Sequence, residues 1–289
     1  MTAVRRGRAA PVPTMNHTVT RALAAAPLDP VDARALLRHA LGVDAAYLIA
    51  NAGQTLTDVQ GALFSALVAR RRAGEPVAYI VGAREFFGLE FKVTPAVLIP
   101  RPETELLVEF ALERIAPERA CRVLDLGAGS GCVAVSIAKH RPLARVVAVD
   151  RSTAALAVAR DNVRQHAVTN LELLESDWFD ALAGQQFDVI VANPPYVAAD
   201  DPHLRQGDLR FEPAAALAAG TDGLDCIRLI SAAAPQYLSG GGWLVYEHGY
   251  DQAARCRELL TQAGFSEVFS RADLAGIARV SGGQWCARS

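Results

Sequence analysis

The run Val123-Leu124-Asp125-Leu126 passes directly into Gly127-Ala128-Gly129-Ser130-Gly131-Cys132, and the Ala134, Val135, Ile137, Ala138 pattern behind it has helical spacing. An apolar strand that turns through glycines straight into a helix is a βα unit. Further strand-like runs at 145–149, 171–174 and 187–192 alternate with helical patterns from Arg101 onward. Such alternation predicts an α/β fold, Rossmann-like, with a mostly parallel sheet covered by helices on both faces. Glycines let the backbone approach a ligand closely and adopt positive φ, and the helix N-terminus beyond them favours polar or anionic groups. Cys132 stands where the dinucleotide fingerprint requires its third glycine, which weakens a nicotinamide reading.

Asp150 ends the strand Arg145-Val146-Val147-Ala148-Val149 about 20 residues beyond the glycines, where a carboxylate can accept from both ribose hydroxyls of an adenosine. A solvated strand-end carboxylate is the alternative. Asp177 and Trp178 follow the strand-like Leu171-Glu172-Leu173-Leu174 and can flank an adenine, one by hydrogen bonding and one by ring contact. Trp178 can equally be core.

Asn193-Pro194-Pro195-Tyr196 follows the apolar run Phe187-Asp188-Val189-Ile190-Val191-Ala192. Its prolines lack N–H groups, fix their own φ and push the preceding residue out of the helical region. The chain therefore leaves the strand extended, with the Asn193 side-chain carbonyl and the Pro194 backbone carbonyl able to present two acceptors to one side. Tyr196 offers an aromatic face. An NH2 group on a flat substrate suits these features.

With these motifs together, the chain resembles the peptide chain release factor N5-glutamine methyltransferases, a family of class I S-adenosylmethionine-dependent methyltransferases. The resemblance is carried further by Phe86-Phe87-Gly88, Leu98-Ile99-Pro100-Arg101-Pro102-Glu103-Thr104-Glu105, Phe211-Glu212-Pro213, Thr221-Asp222-Gly223-Leu224 and Asp273-Leu274-Ala275-Gly276. It runs from about Leu28 to about Val280. A departure lies at Ala218-Ala219-Gly220, where the family usually has an acidic residue and paired glycines before Thr221.

The resemblance implies a seven-stranded sheet and S-adenosyl-L-methionine as cofactor, held by Gly127, Ala128, Gly129, Ser130, Gly131, Asp150, Asp177, Trp178 and Asn193. Asn193, Pro194 and Tyr196 would be catalytic, and Asn193, Pro194, Pro195 and Tyr196 would bind the substrate. That substrate would be the Gly-Gly-Gln glutamine of peptide chain release factors. The implied organisation is a tail at 1–16, a helical substrate-recognition domain at 17–82, a β-hairpin linker at 83–99 and the methyltransferase domain at 100–289.

In the N-terminal region, Asp29-Pro30 is a cap and first-turn pair, Leu36, Leu37, Ala40 and Leu41 line one face, and Gly42 closes the helix. Thr57 to Arg72 repeats the pattern, with Val59, Leu63, Leu67 and Val68 inward and Arg70-Arg71-Arg72 in the last turn, where cations complement the helix dipole. Phe87-Gly88-Leu89 sits between two candidate strands of a hairpin.

Five scattered cysteines and six histidines without ligand spacing suggest reduced thiols in a cytoplasmic protein and imply no metal. No apolar run approaches the roughly 18 residues of a membrane span. The first 28 residues carry four arginines and no acid, which fits a disordered or misassigned start at Met1 against Met15 better than an organellar targeting peptide. A monomer is expected. The rival activity is amino methylation of a flipped adenine or guanine, which presents the same two hydrogens. The formal net charge of -2 argues against a nucleic-acid substrate. A noncatalytic cofactor-binding protein is the other alternative. Gly282-Gly283-Gln284 repeats the substrate tripeptide within the chain itself; a glycine turn in a terminal hairpin is the expected explanation, with self-methylation the other.

Overall fold

The computed structural model describes residues 18–286, so the expected tail and either candidate start lie outside the described residues. The chain divides into two compact units, one ending at Val81 and the other beginning at Gly82.

The first unit is helical: α1 (Val19–Ala25), α2 (Pro30–Leu41), α3 (Ala45–Ala50), α4 (Asp58–Arg72) and α5 (Val77–Val81). Asp29 caps α2 through a bond from the Val31 amide, Pro30 occupies its first turn, and Gly42 ends it with φ of 66°. Thr57 and Gln60 form a reciprocal capping box on α4. Leu36 and Leu37 are fully buried with Phe64, Leu67 and Leu48. Val59 and Leu63 are instead exposed, at 79% and 44%. Leu67 is buried and Val68 packs against the same core, as expected, but Phe64 takes the inward place expected of Leu63, since its larger ring removes more apolar surface. The arginine run is tied locally, Arg70 to Glu75 and Arg71 to Asp32 of α2.

The second unit opens with a hairpin of β1 (Ala83–Phe86) and β2 (Leu89–Lys92), whose Phe87-Gly88 turn has positive φ at both residues. The expected linker is part of this unit's core, since Phe86 and Phe91 are buried among Leu107, Val108 and Phe110. After α6 (Glu105–Arg114) strands and helices alternate except at β5/β6 and β8/β9, where no α-helix intervenes: β3 (Arg122–Leu126), α7 (Cys132–His140), β4 (Arg145–Asp150), α8 (Thr153–Gln165), β5 (Leu171–Glu175), β6 (Phe187–Ala192), α9 (Asp225–Ala233), β7 (Leu238–Glu247), α10 (Ala253–Gln262), β8 (Ser266–Ala272) and β9 (Ala278–Gln284). The sheet has seven strands in the order β5-β4-β3-β6-β7-β9-β8. Pairing is parallel from β5 to β7, and β9 runs antiparallel to both its neighbours.

Alternation along the strands separates two cores. Val123, Val146, Val189 and Val245 face α6 and α7, whereas Leu124, Val147, Ile190 and Leu244 face α9 and α10. Order reverses between β3 and β6, and the crevice beyond their carboxyl ends is where open α/β sheets bind ligands.

Gly282-Gly283-Gln284 lies inside β9 and not in a turn, which corrects the sequence expectation; the hairpin turn is at Asp273–Gly276. The glycines are required by close packing. A Cβ at Gly282 would stand 2.5 Å from the Leu244 carbonyl oxygen, and one at Gly283 would stand 2.9 Å from the Phe265 Cβ.

Candidate active site

A cavity of about 410 Å³ opens at the β3/β6 reversal. Its first half is built from backbone. Gly127, Gly129 and Gly131 have φ of 80°, 55° and 79°, a region that L side chains enter at a cost. The Gly127 and Ala128 amides both donate to the Val149 carbonyl at 2.9 Å, which pins the turn to the end of β4. Asp150 completes the pin: its two carboxylate oxygens accept from the Gly129 and Ser152 amides, each at 2.8 Å. Each oxygen retains a lone pair for a ligand. Gly127, Ala128, Gly129, Ser130 and Asp150 all line the cavity. Gly131 does not; it is buried, and a Cβ there would lie 3.2 Å from that of Ala159, so this glycine lets α7 approach α8.

Asp177 and Trp178 line the same cavity beyond β5. Trp178 has φ of 47°, rare for so bulky a residue and worth about 1–3 kcal/mol of strain. Ser176 holds that conformation, its hydroxyl donating to the Trp178 carbonyl at 3.0 Å while accepting from the Ala181 amide at 3.0 Å. The indole therefore stands against Gly127, 3.9 Å from where a Cβ would project. Asp125 also lines this half and is 2% exposed. Burial, reinforced by the charge of Asp150, pushes its carboxyl up to about 7 against one opposing bond from the Ala134 amide. A carboxylate among apolar strand residues was the available signal for Asp125, and the sequence reading left it in the strand.

The second half is built from side chains. Asn193 and Pro195 line the cavity just past β6. Asn193 donates from Nδ2 to Thr104 Oγ1 at 3.1 Å, and the buried Thr104 hydroxyl donates to Glu247 Oε2 at 2.6 Å. Tyr196 donates from its hydroxyl to the other oxygen of Glu247 at 3.0 Å. Glu247, at the end of β7, is 2% exposed. Burial raises its carboxyl to about 7, with the bonds from Thr104 and Tyr196 opposing the shift. Pro194 is buried and Tyr196 packs partly against the α9/α10 core, both outside the cavity lining. Burial and the Glu247 charge hold the Tyr196 phenol far above its ordinary pKa. Its carbonyl accepts from Gln252 Nε2 at 3.0 Å, and Gly223 packs so close that a Cβ would stand 2.2 Å from that oxygen.

The remaining wall is the segment after Tyr196. Val197 forms a parallel bridge with Ala218, and the Ala199 amide donates to the Gly220 carbonyl at 2.8 Å. Ala218, Ala219 and Gly220, the departure noted in the sequence, thus give that wall small residues. Arg101 pairs with buried Glu212 at 2.5 Å, joining the Pro-Arg-Pro segment to Phe211-Glu212-Pro213. Gln284 is remote from this chemistry: its side-chain amide donates to the Gly241 carbonyl at 2.9 Å and it does not line the cavity.

Residues 102–217 match the family described as Methyltransferase small domain, and residues 16–82 match the PrmC N-terminal domain family. A release factor glutamine methyltransferase of Burkholderia pseudomallei is 57% identical over 273 residues, covering 92% of this chain and 96% of the relative. One from Escherichia coli is 45% identical over 254 residues, covering 88% and 91%. Among solved structures, a methyltransferase from Pyrococcus furiosus shares the fold, with a TM-score of 0.53 and 19% identity over 76% of this chain and 98% of that one. The chain belongs to the release factor glutamine methyltransferase family.

Proposed function

We propose that the protein transfers a methyl group from S-adenosyl-L-methionine to the side-chain amide nitrogen of the glutamine in the Gly-Gly-Gln motif of a peptide chain release factor. The observation that carries this reading is a single cavity that holds both the Gly127–Gly129 turn with Asp150 and the half-buried amide of Asn193. Its volume suits a nucleoside-bearing ligand plus a side chain. The donor set suits the cofactor as well: a carboxylate with two spare lone pairs for a ribose, an indole for a ring, and a glycine surface with no Cβ in the way.

The cofactor, when bound, supplies a methyl group on an electron-poor sulfonium. The acceptor nitrogen is a poor nucleophile because its lone pair is delocalised into the amide carbonyl. Asn193 Oδ1 accepts one of its hydrogens and, although Pro194 itself is buried outside the cavity lining, its backbone carbonyl is the acceptor proposed for the other; together they leave more electron density on the nitrogen and aim it. Tyr196 stiffens the segment through its bond to Glu247. With the cofactor held by the Gly127–Gly129 turn and Asp150, its methyl would pass to that nitrogen with the C–S bonding pair left on sulfur, and the nitrogen, then cationic, would release its proton to solvent. Positioning and preorganised dipoles carry the acceleration, and no strong base is needed before transfer. The protein is proposed to act as a monomer, in the cytoplasm where release factors work.

The test incubates the protein with methyl-labelled cofactor and, separately, a release factor, its Gly-Gly-Gln→Gly-Gly-Ala variant, and duplex DNA or ribosomal RNA. Label on the wild-type factor alone is expected. Label on nucleic acid would mean that the Asn193 pocket holds a base.

A further inference from the structure

Asn193 can serve as an acceptor only if its amide is turned the right way round. An amide turned over would present NH2 to the NH2 of the substrate, two donors facing each other. No feature of Asn193 itself chooses between the two orientations. The choice is made two residues away, along a chain of hydrogen bonds from Asn193 Nδ2 to Thr104 Oγ1 and from the Thr104 hydroxyl to Glu247 Oε2.

A carboxylate accepts and does not donate. With Glu247 ionised, Thr104 must point its hydrogen at Glu247, and its oxygen is then open only to a donor, which is the Nδ2 side of Asn193. Oδ1 is left toward the cavity, where no described residue donates to it. We propose that Thr104 and Glu247 are positioning residues for methyl transfer, the carboxylate setting the direction of a hydrogen-bond chain that turns the Asn193 carbonyl toward the acceptor amide. This rests on the reading of Asn193 as an acceptor for the substrate NH2.

The second oxygen of Glu247 accepts from Tyr196, so one buried group fixes both side chains that flank Pro194-Pro195. Protonation removes the constraint. A carboxylic acid can donate to Thr104, the Thr104 hydroxyl can then donate to Asn193 Oδ1, and the amide turns over. The groups facing Glu247 are Tyr196, the carboxylate of Glu103 ahead of α6, Arg279 from β9 and Cys132 at the start of α7; Arg101 acts on Tyr196. Glu103 favours the protonated form and Arg279, itself bonded to Asp273, the ionised one. Burial outweighs both, and ionisation falls near pH 7.

Thr104→Val, Thr104→Ser and Glu247→Gln test this on the full chain with labelled cofactor and release factor. Turnover, cofactor affinity and KM for the factor are measured from about pH 5.5 to about 9, roughly two units on either side of the Glu247 ionisation. Thr104→Val is expected to lose about tenfold to a hundredfold in kcat, as for one lost preorganising hydrogen bond, with cofactor affinity within about twofold. Thr104→Ser, which keeps the hydroxyl, is expected to restore most of the loss. Wild-type kcat should rise with pH through about 7, and Glu247→Gln should flatten that limb at a lower plateau.

Turnover of Thr104→Val near that of wild type, or equal damage from Thr104→Val and Thr104→Ser, would overturn the proposal. Should Thr104→Val fail to fold, the profile of Glu247→Gln decides, and an unchanged acid limb overturns it. Methyl transfer by the wild type to nucleic acid in place of the factor would defeat the proposed substrate alone, and the same variants would then be scored on that acceptor. Absence of transfer to any of them would overturn both.

Discussion

The two halves of the cavity are made by different means. On the β3/β4 side the polar groups are backbone amides, shaped by three glycines at positive φ and pinned by Asp150, a carboxylate that remains partly open to ligand. On the β6/β7 side they are side chains, Asn193, Thr104 and Tyr196, anchored on Glu247, a carboxylate almost wholly removed from solvent. The first construction suits holding a ligand, because backbone donors keep their geometry without further support. The second suits orienting a reacting group, because a low-dielectric network enforces one arrangement and makes the alternative expensive. The account therefore assigns affinity for the cofactor to one half and rate to the other.

Asn193→Ala should divide the halves most sharply. Turnover is expected to fall by about a hundredfold or more, while cofactor affinity measured by calorimetry changes much less. A variant within threefold of wild type would remove Asn193 from the mechanism. Asp150→Ala should do the reverse, weakening cofactor binding by about tenfold to a hundredfold through the loss of charge-assisted hydrogen bonds, with single-turnover rate at saturating cofactor little altered. Equal damage to both quantities would dissolve the distinction. Trp178→Ala should cost up to about tenfold in cofactor affinity, the scale of one ring contact, again with turnover nearly kept at saturation.

The smallest expected effect is on stability. Burial raises the folded-state Glu247 carboxyl from 4.5 to about 7, so the folded chain holds a proton that the unfolded chain has released. Stability from that proton is fully present below about pH 4.5 and is lost as pH rises through about 7. Glu247→Gln, neutral throughout, should therefore melt higher relative to wild type at pH 8 than at pH 5, by a few degrees. An identical difference at both pH values would mean that Glu247 is not a buried, titrating carboxylate. Together with the kinetic role proposed for it, the effect would make this residue one where function is held at some cost in stability.

The same contrast explains what the sequence disclosed. The glycine turn, Asp150 and the strand–helix alternation are legible because the residues that interact are neighbours or one βα unit apart. Asp29-Pro30 and Gly42 were legible for the same reason, each acting on its own helix end. Thr104 and Glu247 were not, because 143 residues separate them and nothing local marks a threonine ahead of a helix that donates to a carboxylate at the end of a distant strand. Gly282-Gly283 misled because glycine has two uses. Turn propensity is visible in the sequence, whereas the need for close contact with Leu244 and Phe265 exists only once the sheet is assembled. Val59 and Leu63 misled because several apolar stripes can be drawn on α4, and the choice is made by which of them packs the Phe64 ring.

The central claim is tested most directly by a crystal structure of the protein with demethylated cofactor and a glutamine-bearing peptide. The account predicts ribose hydroxyls on Asp150, the base beside Trp178, and the glutamine nitrogen between Asn193 Oδ1 and the Pro194 carbonyl, with Asn193 Nδ2 still on Thr104. A glutamine bound elsewhere, or an Asn193 amide that offers its NH2 to the substrate, would contradict it.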